Sequence, residues 1–196
     1  MEQQFQYYAF ISYKREDEKW AKWLQDRLRW YKLPSKLCRQ ITRLPKKVWP
    51  VFRDNTDLDS GRLEENIRHE LERSHYLIVI CSPEAARSPW VGKEVKYFAT
   101  LHGADKIIPF VVSGIPYSND IETECIHEQI KAISQEELLA INVREEGIGS
   151  FAMKKKRAFI RVVARLLDIK FNTLWQPYER ILRIPVLHLR ILRIRS

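Results

Sequence analysis

The sequence predicts one α/β domain built around a doubly wound, five-stranded parallel sheet. Five short apolar, strand-like runs alternate along the chain with five helix-like stretches, which is the pattern of such sheets. The run Tyr76–Cys81 is apolar throughout, as expected of a central strand buried on both faces. A length of 196 residues suits one domain, which we place at residues 1–170, before a basic and aliphatic tail or linker at residues 171–196.

Local patterns predict the order of the elements. The predicted strands are residues 7–12, 48–52, 76–81, 106–112 and 138–143. Pro50 lacks a backbone N–H group, so we expect the second strand at an edge of the sheet. Ser88 followed by Pro89 is typical of a helix start. The predicted helices span about residues 16–31, 63–71, 88–103, 121–133 and 151–169.

Charge is concentrated at one end of the chain. Residues 1–150 carry 22 Lys and Arg against 23 Asp and Glu, whereas residues 151–196 carry 12 against 2. A net charge of +9 located in this way predicts a basic tail and no nucleic-acid-binding face. The tail mixes aliphatic and basic side chains. We favour a truncated linker there, with contact to an anionic membrane surface as the less favoured alternative.

Four features predict a cytoplasmic protein without a metal site. The N-terminus lacks the basic and apolar regions of a secretion signal, and the longest apolar runs are far shorter than the roughly 20 residues of a membrane span. Cys38, Cys81 and Cys125 suit neither a disulfide framework nor a zinc site. The five histidines lack ligand spacing, and we expect each of them at the surface or at a helix end.

The ligand crevice of an open α/β sheet lies at the carboxyl ends of the strands, where the strand order reverses. With the second strand at an edge, we expect the order 2-1-3-4-5 and a reversal between the first and third strands. Residues Ser12–Arg15 end or follow the first of these strands, and Cys81–Pro83 end or follow the other. This edge of the sheet is therefore the predicted site.

Familiar occupants of such a crevice are excluded by the residues present. A dinucleotide-binding fold needs a glycine-rich turn after the first strand, yet the first glycine is Gly61. A phospho-accepting receiver domain needs an acidic pair after the first strand and an Asp at the end of the third, where Ser12-Tyr13 and Cys81-Ser82 stand. The sequence also lacks a Walker A loop, a nucleophile elbow and a zinc-protease helix.

Trp90 and Glu94 lie near the start of the third predicted helix. They are four residues apart and so share one helix face, and the helix N-terminus favours an ionised carboxylate. One interpretation is a fixed carboxylate that acts as a nucleophile or stabilises a cation, beside an indole wall for a flat ring. The other is an acid that merely suits the helix start, with a tryptophan that anchors the core. Spacing alone leaves both interpretations open.

Four motifs together resemble the successive boxes of a bacterial Toll/interleukin-1 receptor (TIR) domain. They occur in the family's order over about residues 5–170 and are Phe10-Ile-Ser-Tyr13, Val51-Phe-Arg-Asp54 with Leu58-x-x-Gly61, Leu77 to Pro83, and Ser88-Pro-Trp-x-x-x-Glu94. The resemblance implies a flavodoxin-like, three-layer fold with a five-stranded parallel sheet. It also implies that residues 53–62, with Arg53, Asp54 and Gly61, form the BB loop, which covers the site and mediates self-association.

Many TIR domains cleave NAD+ at the bond between nicotinamide and ribose, and the resemblance implies the same activity here with Glu94 as the catalytic carboxylate. NAD+ is then the substrate, and we expect no cofactor. We expect Arg53 and Asp54 to form a local ion pair. The positions that correspond to the family's substrate-binding residues are Ser12, Tyr13, Lys14, Arg15, Asp59 and Trp90.

Two functions remain in competition at this point. The first is an enzyme that releases nicotinamide and forms ADP-ribose, a cyclic isomer or a related signal, which the resemblance connects with bacterial antiphage defence. The second is a non-catalytic module that acts only by TIR–TIR contact.

Overall fold

The described residues form an α/β fold around one five-stranded parallel sheet. A computed structural model of the protein describes residues 5–53, 61–133, 140–144 and 149–176. The strand order is β2-β1-β3-β4-β5, which confirms the predicted order, with β2 at an edge and β3 in the centre. The strands are β1 (Tyr7–Ser12), β2 (Val51–Arg53), β3 (Ser74–Cys81), β4 (Ile107–Val111) and β5 (Ile141–Asn142).

Helices cover both faces of the sheet. Those on one face are α1 (Glu18–Trp30), α2 (Ser35–Gln40) and α7 (Phe151–Leu166). Those on the other face are α3 (Gly61–Glu72), α5 (Pro89–His102) and α6 (Glu128–Ile133), with the short α4 (Pro83–Ala86) between β3 and α5. No helix within the described ranges is both long enough and apolar enough to cross a membrane.

Alternation along β1 assigns its side chains to the two faces. Ala9 and Ile11 belong to the core under α1 and α7, whereas Phe10 belongs to the core under α3 and α5. Because successive side chains of a strand point to opposite faces, Ser12 points to the same face as Phe10. The last residue of β1 therefore lies under α5.

The predicted helix over residues 121–133 is wrong for most of its length. The structure has a helix only at Glu128–Ile133. The preceding residues form turns: the Asp120 carboxylate accepts a hydrogen bond from the Glu122 backbone N–H, and the Asp120 carbonyl accepts one from Thr123. Short polar side chains of this kind offer the backbone an alternative to helical hydrogen bonds.

Four other regions depart from the predicted pattern. The second strand is Val51–Arg53, after Pro50, and not residues 48–52. The fifth strand is Ile141–Asn142, and residues 138 and 139 of its predicted range lie outside the described residues. Helix α2 lies in a connection for which we predicted no helix. After α7, Leu174 and Trp175 are buried in the core under α1 and α7, so the packed chain reaches further than the predicted boundary at residue 170. The tail from residue 177 onwards lies outside the described residues.

Replacing a core residue of the central strand should destabilise the protein strongly. Leu77 in β3 is 0% exposed, whereas Leu101 on α5 is 45% exposed. We expect Leu77→Ala to lower the free energy of unfolding by about 2–5 kcal/mol, because it removes buried methyl groups and leaves a cavity. Leu101→Ala is the control and should cost much less. Urea unfolding followed by circular dichroism measures both, and equal losses would contradict the central position of β3.

Candidate active site

The carboxyl ends of β1 and β3 each present a serine hydroxyl to a buried carboxylate. Ser12 Oγ donates a hydrogen bond to Glu94 Oε2 over 2.5 Å. Ser82, the residue after β3, donates through Oγ to Asp17 Oδ2 over 2.5 Å. All four residues are at most 8% exposed. Two polar pairs thus lie at the edge of the sheet that strand order identified as the site.

The position of Glu94 depends on where α5 begins. The Ser88 hydroxyl oxygen accepts a hydrogen bond from the Val91 backbone N–H, and Pro89 is the first helical residue. Gly103, with φ of +89°, ends the helix in a conformation that favours glycine. These signals confirm the predicted helix start and place Glu94 in the second turn of α5.

Burial makes Glu94 dependent on its partners. The residue is 4% exposed and is flanked by Val95, which belongs to the core under α3 and α5. A buried charge without hydrogen bonds costs several kcal/mol, so the Ser12 hydroxyl offsets part of that cost. The pair holds the carboxylate in one position against the end of β1.

Glu94 also lines a groove between α3 and α5. The groove has a volume of about 320 Å³. Its buried lining includes Ile67, Leu71 and Glu94, and its exposed lining includes the cations Arg68, Lys93 and Lys96. Sequence analysis did not find these three cations, because the pairing of α3 with α5 comes only from packing on the sheet. The groove combines an apolar wall, a carboxylate and positive charge.

Trp90 packs on the core and also lines the groove, so its role as a wall for a substrate ring stays a prediction. Its indole is partly buried and packs against the core under α3 and α5. The same side chain lines the groove beside Glu94, and Lys93 Nζ lies 5.7 Å from its ring centroid. The structure thus brings Ser12, Trp90 and Glu94 together.

The loop after β1 carries three more of the predicted substrate-binding residues, Tyr13, Lys14 and Arg15. Tyr13 packs against the core under α1 and α7, on the opposite face of the sheet from Glu94. Its hydroxyl oxygen accepts a hydrogen bond from Arg53 over 2.9 Å. Lys14 is partly exposed and Arg15 is exposed. A role for Tyr13, Lys14 and Arg15 in binding a nucleotide stays a prediction, and Tyr13 would require a new side-chain position to reach Glu94.

Arg53, at the end of β2, bonds to residues of α1 and of the loop after β1. It contacts the Gln25 amide oxygen over 3.1 Å, and it pairs with Glu18 over 3.3 Å. Asp54 and Asp59 lie outside the described residues, so the expected ion pair of Arg53 with Asp54 and the expected substrate contact of Asp59 stay predictions. Gly61, expected in the BB loop, is the first residue of α3.

Asp17 is a buried acid that sequence analysis missed. It lies in the short helical turn Arg15–Asp17 before α1, and burial raises the pKa of its carboxyl group. The hydrogen bond from Ser82 acts in the opposite direction, and the nearby charges of Glu84 and Glu16 raise the pKa further. The sequence did contain a signal for this pair: a serine follows the third strand, and an acid lies five residues after the first strand. Only the fold brings the two side chains into contact.

His127 is buried. Of the two locations expected for the histidines, the surface and a helix end, it occupies the helix end. It precedes α6 and is 6% exposed. Its Nδ1 accepts from the Gln129 backbone N–H over 3.0 Å, so its Nε2 carries the proton and donates to the Ser88 carbonyl over 3.1 Å. A Cβ atom at Gly92 would lie 2.5 Å from the ring, so glycine allows His127 to pack on α5. The ring thereby joins α6 to the start of the helix that carries Glu94.

Neither buried cysteine near this edge is suited to act as a nucleophile. Burial raises the pKa of Cys125 to about 12 and that of Cys81 well above its ordinary value. A protonated thiol is a poor nucleophile. Among the described residues, no group of three or more His, Cys, Asp or Glu side chains is placed to hold a metal ion.

Comparison with known proteins identifies the family. A family profile described as TIR domain matches residues 9–146. The chain belongs to the TIR domain family. The matched range begins in β1 and ends after β5, and it includes the pair Ser12 and Glu94.

The proteins similar to this TIR domain include one curated relative and one solved structure. The chain is 36% identical over 110 residues to "NAD(+) hydrolase ApTIR" of Actinoplanes sp., and the match covers 55% of this chain but only 14% of that relative. The fold is similar to the TIR domains in the structure of the activated Roq1 resistosome directly recognizing the pathogen effector XopQ. That likeness has a TM-score of 0.50 and 14% sequence identity, and it covers 79% of this chain and 98% of that chain. At this identity it shows the fold alone.

Acid should destabilise this TIR domain partly through His127. Burial lowers the pKa of His127 in the folded protein, so the unfolded chain binds a proton more readily below the ordinary histidine pKa of about 6.5. Stability from this group is therefore present above that pH and is lost as the pH falls. We expect the free energy of unfolding to fall between about pH 7 and pH 5, and less steeply in His127→Asn, whose amide oxygen can still accept from Gln129.

The control for this pH dependence is His69→Asn, because His69 is exposed on α3. Urea unfolding at several pH values measures the slope for each variant. An identical slope in wild type and His127→Asn would contradict the prediction.

Proposed function

We propose that this TIR domain cleaves NAD+ at the bond between nicotinamide and ribose, with Glu94 as the catalytic carboxylate. The observation that supports this most directly is the carboxylate itself. Glu94 is held by Ser12 at the carboxyl edge of the sheet, and it lines a groove that also contains Trp90 and three cations. The 36% identity to a protein named NAD(+) hydrolase ApTIR supports the same activity.

The proposed reaction needs a fixed negative charge and no general acid. When the bond between ribose C1′ and the nicotinamide nitrogen breaks, nicotinamide leaves as a neutral molecule with the bonding electron pair. Positive charge then develops at C1′ and the ring oxygen of the ribose. A carboxylate on the sugar side, positioned before the reaction, stabilises that charge. Attack by water at C1′ gives ADP-ribose and releases a proton.

The groove offers a carboxylate and an aromatic side chain to the nicotinamide riboside part of NAD+. In the proposed complex the nicotinamide ribose lies at Glu94, and the nicotinamide ring or the ribose packs on Trp90. We further propose that Lys14 and Arg15 contact the pyrophosphate, since paired cations suit that group, and that Asp59 binds a ribose hydroxyl. Ser12 acts through Glu94.

The finer parts of the proposal concern products and context. Besides ADP-ribose, a cyclic isomer forms if the attacking group belongs to the ADP-ribosyl unit itself. We place the reaction in bacterial antiphage defence in the cytoplasm, and we propose self-association through TIR–TIR contacts at the BB loop. The resemblance of the motifs around Gly61 and Glu94 to bacterial TIR domains supports these points.

Replacing the carboxylate should abolish NAD+ cleavage. We expect Glu94→Gln to lower kcat by at least about a hundredfold, because the amide keeps the shape but not the charge that stabilises the transition state. Nicotinamide release, followed by chromatography over a range of protein concentrations, measures the rate. Glu65→Gln, an exposed acid on α3, is the control and should keep wild-type activity. Wild-type turnover in Glu94→Gln would overturn the assignment.

Removing the hydroxyl that holds Glu94 should lower the rate without removing the charge. A hydrogen bond to a charged group contributes about 1.5–3 kcal/mol, so Ser12→Ala should lose roughly ten- to a hundredfold in kcat. Ser150→Ala is a matched control, because Ser150 Oγ accepts from Met153 at the start of α7, away from Glu94. Equal kcat values for Ser12→Ala and Ser150→Ala would show that the Ser12 bond does not serve catalysis.

A further inference from the structure

We infer that Asp17 is a positioning residue of the substrate site, which holds the loop of residues 13–16 in place through its hydrogen bond to Ser82. The inference rests on the proposed function, because that loop carries Lys14 and Arg15, the cations that we assign to the NAD+ pyrophosphate. Asp17 is buried and bonded to Ser82, so it acts through the loop and does not itself touch the substrate.

The loop is held at both of its ends by the same kind of bond. Before the loop, Ser12 at the end of β1 is bonded to Glu94. After the loop, Asp17 is bonded to Ser82, the residue after β3, and the Asp17 backbone N–H also donates to the Lys14 carbonyl over 2.7 Å. Because β1 and β3 are neighbouring parallel strands, the two bonds hold one short segment against one edge of the sheet.

Ser82 connects this segment to the next helix as well. Its Oγ donates to Asp17 and at the same time accepts from the Ala85 backbone N–H over 3.1 Å at the start of α4. With 0% exposure, Ser82 has no access to solvent that would replace either partner. The loop after β1 is therefore locked to the segment that leads from β3 into α4 and then α5.

A buried acid is a costly way to hold a loop. Burial raises the pKa of Asp17, and two further acids, Glu84 and Glu16, raise it as well. An apolar residue at this place would avoid the desolvation of a carboxyl group, but it would leave the Ser82 hydroxyl without an acceptor. The carboxyl group supplies a directed hydrogen bond, which an apolar side chain cannot. This bond fixes the position of the loop, whereas apolar packing would only bury it.

The test compares variants that remove the bond from either side with one that keeps it. Asp17→Ala removes the acceptor and Ser82→Ala removes the donor, whereas Asp17→Asn retains an oxygen that can accept from Ser82. Glu84→Gln is the control, as an exposed acid on α4 that contributes to the local charge but forms no part of the bond. Each full-length variant is assayed for NAD+ cleavage, for binding of ADP-ribose by calorimetry and for hydrogen exchange of the amides of residues 13–17.

We expect the KM for NAD+ to rise about five- to tenfold in Asp17→Ala and in Ser82→Ala, with kcat within about threefold of wild type. Binding of ADP-ribose should weaken by a similar factor, and exchange should accelerate in residues 13–17 but not in β4. The double variant should match the single variants, because both remove one bond. Asp17→Asn should stay within about threefold of wild type in KM, because it keeps the acceptor. Glu84→Gln should match wild type.

The outcomes separate this inference from the proposed function. If wild type neither cleaves NAD+ nor binds ADP-ribose, the proposed function falls and the inference falls with it. If wild type cleaves NAD+ and Asp17→Ala and Ser82→Ala leave its KM unchanged, the inference alone is overturned. If the alanine variants prove too unstable to assay, Asp17→Asn is the deciding variant. A KM for NAD+ raised by more than tenfold in Asp17→Asn, with native hydrogen exchange in residues 13–17, would contradict a role that acts through the hydrogen bond.

Discussion

The hydrogen bond between Ser12 and Glu94 is the interaction on which the proposed chemistry of this TIR domain depends. It joins residues 82 positions apart in the chain and holds a buried carboxylate at the edge of the sheet. Without a donor, a carboxylate that is 4% exposed would be costly to keep charged. The bond forms only when β1, β3 and α5 pack as observed, so it depends on much of the fold.

The doubly wound topology explains why two such bonds lie near each other. The chain leaves β1 for the edge strand β2 and then returns to β3 on the other side of β1. The carboxyl ends of β1 and β3 therefore meet at the reversal of strand order, where ligands of open α/β sheets bind. Ser12 and Ser82 stand at those two ends, and each is bonded to an acid from another element, Glu94 from α5 and Asp17 from the turn before α1.

The proposed binding of NAD+, which carries a pyrophosphate, depends on the charge near the site and not on the net charge of the chain. Residues 1–150 are nearly neutral, and the excess of Lys and Arg lies in residues 151–196. The groove beside Glu94 nevertheless contains three cations, Arg68, Lys93 and Lys96. A net charge of +9 thus says little about substrate binding, because the proposed binding depends on a few cations near the site: Lys14 and Arg15 in the loop after β1, and the three cations that line the groove.

Local sequence patterns were enough to predict the strand order and the start of α5, because apolar runs, Pro50 and the Ser88 cap act over a few neighbouring residues. The shared face of Trp90 and Glu94 follows from helical periodicity in the same way. The bond of Asp17 to Ser82 and the cluster of groove cations could be seen only in the folded chain. Both features bring together residues that lie far apart in the sequence. Local sequence preferences cannot show which polar residues will meet, because their contacts form only when the sheet and helices pack.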